Sequence, residues 1–146
     1  MEQVKMPQQI IERIKRLYGY TDEQIAAFSP RQRKARLMEL EGMKYKLIAE
    51  VVEAENCACQ HKKGEKYVFI NGGALLPSES TVRLVCAWAI APMVPFFYIF
   101  YFYDRLSEGL DPGGTVFEYV KCPDTGATCG GWGQVMFRLH WEKTPG

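Results

Sequence analysis

The chain lacks a surplus of either charge: 18 Lys and Arg stand against 17 Asp and Glu. Without a cationic excess there is no field to draw phosphate, so neither nucleic acid nor a membrane surface is an expected partner. Its first 15 residues are polar and charged, with no apolar h-region of a secretory leader. Cysteines are few and odd in number, the five being Cys57, Cys59, Cys86, Cys122 and Cys129. A disulfide framework is therefore not expected, and reduced thiols in a cytoplasmic protein are. Low-complexity tracts and internal repeats are missing too. With 47% apolar and 24% charged residues, the composition excludes disordered, collagen-like and coiled-coil classes. At 146 residues the chain is about one domain long.

One stretch is empty of charge. Leu84 to Tyr103 (LVCAWAIAPMVPFFYIFYFY) has the length of a membrane span. Pro92 and Pro95 interrupt it near the middle, its second half is aromatic, and Arg83 and Asp104 close it without a basic bias on one side. The preferred reading is a buried, proline-broken helical pair from about Glu79 to Glu108. A helix apolar all round must be covered by a sheet, a partner subunit or both, so a homo-oligomer is expected.

Residues 1–42 read as a basic helical appendage to a core of residues 43–146. Ten Lys and Arg against six Asp and Glu fall within residues 1–46. Ile10, Ile11, Ile14 and Leu17 recur at helical spacing between Pro7 and Gly19. Thr21 with Gln24 forms a capping box. Ser29 followed by Pro30 opens a third helix that Gly42 ends. Arg31, Arg33, Lys34 and Arg36 spread around that helix, which suits a solvated face better than a DNA-recognition helix. The core alternates as strands do. Tyr45, Leu47, Ala49 and Val51 form one face of a half-buried strand, Tyr67 to Ile70 a second, Val116 to Val120 a third. In Gln134 to Glu142, Val135, Phe137, Leu139 and Trp141 share one face. GLDPGG at 109–114 stops the helical stretch. Strands divided by one helical hairpin predict an α+β fold, an antiparallel sheet packed on the apolar helices.

Cys57-x-Cys59-x-His61 follows the first strand and Cys122-x6-Cys129 precedes the last. Two loops at one sheet edge would bring thiolates and an imidazole together, the donor set for Zn or Fe, so Cys57, Cys59, His61, Cys122 and Cys129 are candidate metal ligands. Alternatively these are ordinary thiols at strand ends. A third reading is nucleophilic: Gly130 and Gly131 free backbone N–H groups for an anion nest beside Cys129, with His61 as base and His140 left solvated on a polar strand face. GGWG around Trp132 matches no phosphate-loop pattern and reads as a tight turn. The aromatic run from Phe96 to Tyr103 serves as core or interface, and Trp88, Tyr98, Tyr101 and Trp132 are candidate walls of a pocket for a flat ligand.

In Asn56–Glu65 and Cys122–Gly133 the chain resembles a family of small uncharacterised prokaryotic proteins, many from anaerobes. Their pattern is a V-x-x strand leading to a cysteine and then H-K-x-G-[DE]. Here these are Val51-Val52-Glu53, Cys57, and His61-Lys62-Lys63-Gly64-Glu65. Longer members also look similar at Leu17 to Glu23 and at the closing C-G-G-W-G, Cys129 to Gly133. Cys57, His61, Gly64 and Cys129 match the family pattern, whereas its cysteine before a mid-chain proline is replaced by Leu76 before Pro77. The resemblance implies a shared site without naming a reaction. Three functions follow as expectations: a small metal- or ligand-binding protein with a Cys/His site, an enzyme using Cys129 and His61 on a small molecule, and an accessory subunit of a larger anaerobic enzyme.

Overall fold

The computed structural model describes residues 5–42, 45–70, 73–97 and 118–144. The chain divides after Glu41 into two compact units.

The first unit holds α1 (Gln8–Tyr18), α2 (Asp22–Ala26) and α3 (Pro30–Gly42). Each begins and ends where the side chains dictate. Gly19, at φ 72°, closes α1 in the left-handed conformation that lacks a Cβ penalty. Thr21 and Gln24 exchange both hydrogen bonds of the capping box. Ser29 and Gln32 form a second such box at α3. Two of the four clustered cations are spent within the unit. Arg33 donates to the carbonyls of Phe28 and Ala26 at 3.0 Å each. Arg36 donates to Tyr20 Oη at 2.9 Å and lies 4.7 Å from the centroid of the Tyr18 ring.

The second unit is a five-stranded antiparallel sheet with short helical segments, the expected α+β class. Its strands are β1 (Tyr45–Glu55), β2 (Lys66–Ile70), β3 (Ala74–Leu75), β4 (Tyr119–Lys121) and β5 (Gln134–Lys143), in the spatial order β3-β2-β1-β5-β4. Strand β1 is central, paired with β2 through Ala49–Tyr67 and with β5 through Ala49–Leu139. A bulge between Val51 and Glu53 shifts the register near its end.

Period-two patterning decides the core face. Leu47, Ala49 and Val51 of β1, Tyr67 and Phe69 of β2, and Val135, Phe137 and Leu139 of β5 are buried together. Ala89, Met93, Phe96 and Phe97 cover them from one side. Each fully buried large side chain contributes roughly 1.5–3 kcal/mol. Strand β1 departs from the half-buried expectation: Ile48 on its opposite face is buried too, as is its cross-strand neighbour Val68.

The helical stretch is shorter than expected at its start. Helix α4 covers Ala87–Ile90 and passes into a 3-10 turn at Ala91–Met93, after which residues 94–97 are helical again, as a proline-broken pair would be. Residues 76–82 serve β2 instead. Strand β3 is too short to pair all of β2, so Leu76 N–H donates to Val68 O and Thr81 N–H to Lys66 O. The hydroxyls of Ser80 and Thr81 accept from Val68 N–H and Lys66 N–H. Unmet backbone groups along that edge outweigh the helical tendency of the segment. Within this stretch Leu84, Val85, Trp88 and Val94 are exposed in the single chain. Among the described residues no helix is long and apolar enough to cross a membrane. The rest of the expected helix to Glu108, the GLDPGG loop, Val116 and Phe117 lie outside the described residues. Glu118 precedes β4, which begins at Tyr119.

Candidate functional site

Two loops and the start of α4 meet at one end of the core. Asn56 leaves β1 at φ 48°, a left-handed conformation that asparagine tolerates better than most residues. The chain then turns, with Gln60 N–H donating to the Cys57 carbonyl at 2.9 Å. This turn presents Cys57 outward and carries His61, four residues on, inward beneath it. The second loop, residues 122–133, is tied by Asp124. Its Oδ1 accepts from Gly126 N–H at 2.9 Å and Trp132 N–H at 3.0 Å, and its Oδ2 from Gly133 N–H at 3.2 Å. These three donors hold the Asp124 carboxyl below the usual carboxylate range.

Glycine permits the close approach of the two loops. A Cβ on Gly133 would stand 2.3 Å from the Asn56 carbonyl oxygen, and one on Gly131 2.1 Å from Asp124 Oδ1. The expected nest of N–H groups after Cys129 does exist as donors, but the chain's own Asp124 carboxylate fills its Trp132 and Gly133 positions, and Gly131 N–H goes to Gly126 O at 2.8 Å.

Between the loops and α4 lies an open cavity of about 480 Å³. Cys57, Cys59, Cys86 and Cys122 line it, together with Trp88 and Trp132, which form exposed indole walls. Cys57, Cys86 and Cys122 also pack against the core. The neighbouring Cys86 thiol, more than burial, pushes the Cys59 pKa up. Burial raises the Cys122 thiol.

Behind Cys57 runs a buried chain of polar groups. Cys57 Sγ and His61 Nδ1 are 3.2 Å apart, and His61 Nε2 and Tyr67 Oη are 2.6 Å apart. Tyr67 Oη also accepts from Cys86 N–H at 3.1 Å and faces the Leu84 carbonyl at 3.4 Å. His61 is 5% exposed and Tyr67 is fully buried, with Phe137 against both rings. Burial lowers the His61 pKa, opposed by Glu65, and pushes Tyr67 up to about 12. Both groups are therefore neutral at physiological pH. Two proton arrangements fit these contacts. With Cys57 protonated, its S–H donates to Nδ1, Nε2–H donates to Tyr67, and Tyr67 donates to Leu84 O. With Cys57 ionised and its proton released to solvent, the neutral ring donates Nδ1–H to the thiolate and accepts a hydrogen bond from the Tyr67 hydroxyl at Nε2. The second form stabilises a thiolate without an imidazolium, whose charge burial disfavours.

The site expected from the sequence is thus divided. Cys57, Cys59 and Cys122 line one cavity, with Trp88 and Trp132 as expected walls. His61 stands behind Cys57 and is not part of the cavity lining. Cys129 is exposed in the 3-10 turn Ala127–Cys129, lines no part of that cavity, and has Thr128 Oγ1 3.9 Å from its Sγ. The pairing of Cys129 with His61 is replaced by Cys57 with His61. His140, expected to be solvated, is half-buried with Nε2 3.5 Å from Glu142 Oε1. Among the described residues no group of three or more His, Cys, Asp or Glu is placed to hold a metal ion. Tyr98 and Tyr101 lie outside the described residues. Three members of the site carried weaker sequence signals. Cys86 stands two residues before the candidate wall Trp88, Tyr67 occupies a core position of a strand, and Asp124, two residues before Gly126, has the spacing of an Asx turn.

No family model, curated protein or solved structure matches the chain. The resemblance at Cys57 to Glu65 and Cys129 to Gly133 therefore rests on those motifs alone.

Proposed function

We propose that the protein binds a small, largely apolar electrophilic molecule in the thiol-lined cavity and that Cys57 is the sulfur that reacts with it. The hydrogen-bonded chain from Cys57 through His61 to Tyr67 carries this reading. It has the parts of an activated nucleophile: a thiol facing a cavity, an imidazole within reach, and a third group fixing the ring. Trp88 and Trp132 offer flat apolar surface for an aromatic substrate. On this reading Cys57 gives its proton to solvent, the neutral His61 Nδ1–H steadies the thiolate, and the sulfur adds to an electrophilic double bond whose π pair then takes up a proton from solvent.

Alkylation by iodoacetamide at neutral pH, mapped by peptide mass, tests it. Cys57 is expected to react first, and His61→Ala to slow that reaction roughly a hundredfold. Uniform labelling, or Cys129 reacting well before Cys57, overturns the reading. Elemental analysis of the same preparation provides a second arm. One zinc or iron per chain would replace thiol chemistry with capture of a thiophilic ion. In the same proposal the chain acts in the cytoplasm as a homo-oligomer that covers the exposed Leu84, Val85 and Val94. A monodisperse monomer in light scattering would remove the oligomer from it.

A further inference from the structure

The proposed reaction at Cys57 uses only one of the four thiols around the cavity. Cys59 and Cys86 come from different elements, the β1–β2 loop and the residue before α4, and both are half-buried on the cavity wall. Both thiols line the same cavity, and of the three neighbouring thiols Cys86 acts most strongly on Cys59. Cys86 is held in place, because its backbone N–H is bonded to Tyr67 Oη at 3.1 Å. Cys59 belongs to a turn whose neighbour Gln60 accepts from Arg83 Nη1 at 3.1 Å, which ties that turn to the segment leading to Cys86.

We propose that Cys59 and Cys86 are a dithiol pair that exchanges with small disulfides entering the cavity, closing to a Cys59–Cys86 disulfide and reducing the guest to two thiols. In the first step Cys86 Sγ attacks one sulfur of the guest R–S–S–R. A Cys86–S–S–R bond forms, the guest S–S bond breaks, and the departing RS⁻ takes the proton that Cys86 gave up. In the second step Cys59 Sγ attacks Cys86 Sγ. The protein disulfide forms, the second RS⁻ leaves, and it takes the Cys59 proton. Two electrons pass from the dithiol to the guest, and no further oxidant enters. Indole walls suit a guest with an aromatic R group.

This inference shares the cavity with the proposed reaction at Cys57 but not its nucleophile, so the two can fail separately. The probe is 5,5′-dithiobis(2-nitrobenzoate), an aromatic disulfide, applied to the full chain carrying Cys57→Ser, Cys122→Ser and Cys129→Ser. A resolving pair releases two equivalents of the coloured thiol per chain and leaves no adduct, and intact mass shows the loss of two hydrogens. Adding Cys59→Ser halves the release and leaves a stable mixed disulfide at Cys86. Retained adducts on both cysteines of the first variant, with no mass loss, overturn the pair. Should the multiple variant not fold, the Cys57→Ser chain is digested after the same treatment. A peptide joining Cys59 to Cys86 supports the proposal, and separate adduct-bearing peptides overturn it. Selective alkylation of Cys57 in the wild-type chain reads out the other proposal independently.

Discussion

The two loops that carry cysteines into the cavity do the same work by opposite physics. The loop after β1 is fixed from within: neutral, buried His61 and Tyr67 form a hydrogen-bonded strut under Cys57, packed against Phe137. The loop before β5 is fixed at the surface by one ionised carboxylate, Asp124, gathering three backbone N–H groups. The buried strut stands behind Cys57, the thiol we propose to react. Cys129, on the second loop, has no such support and faces solvent. Five substitutions break or sharpen that contrast.

Gly133→Ala should have the largest effect, because its Cβ would overlap the Asn56 carbonyl and force the loops apart. A loss of about 3 kcal/mol is expected in urea denaturation, with slower labelling of Cys57 in the surviving folded fraction. Tyr67→Phe comes next. It strips the Cys86 N–H and His61 Nε2 of their shared partner at constant ring volume, for about 2 kcal/mol. Unchanged stability would show that the strut is ornamental.

The loops should also part company with pH. Burial depresses the His61 pKa below 6.5, so its contribution is fully present above that value and is lost as pH falls through the folded pKa. Asp124 follows the same sign in a lower window: its support is present above about pH 4 and disappears as the pH falls through its depressed folded value. Thermal melts from pH 8 to 3 should show the first decline vanish in His61→Phe and the second in Asp124→Asn. A single decline untouched by either change would refute the assignment. Smallest of all is Cys129→Ser, expected to alter stability by about 0.5 kcal/mol or less and to leave Cys57 labelling intact. A large drop in labelling would restore Cys129 to the site.

Much of the fold was legible because it rests on local chemistry. Thr21 and Gln24 cap as their spacing says, and Val135, Phe137 and Leu139 are buried as alternation requires. Ile48 escaped because periodicity reports one covered face and says nothing about the other. Residues 79–86 escaped because the hydrogen bonds that keep them from being helical belong to β2, more than ten residues earlier. The site was half legible for the same reason. Cys57 and His61 announce themselves four residues apart. Cys86 and Tyr67 reach them only through cross-strand register and the path of the chain into α4, which no short motif encodes. The glycines after Cys129 suggested an open nest there, but the N–H groups of Trp132 and Gly133 serve Asp124 and that of Gly131 serves the Gly126 carbonyl.

Trp88 and Trp132 are 66% and 78% exposed at the mouth of the cavity. Their emission should therefore lie toward the red while the cavity holds solvent and shift or dim when a guest stacks between them. The protein thus carries its own optical gauge of occupancy, and candidate guests can be ranked by titration without a label and before any turnover is known.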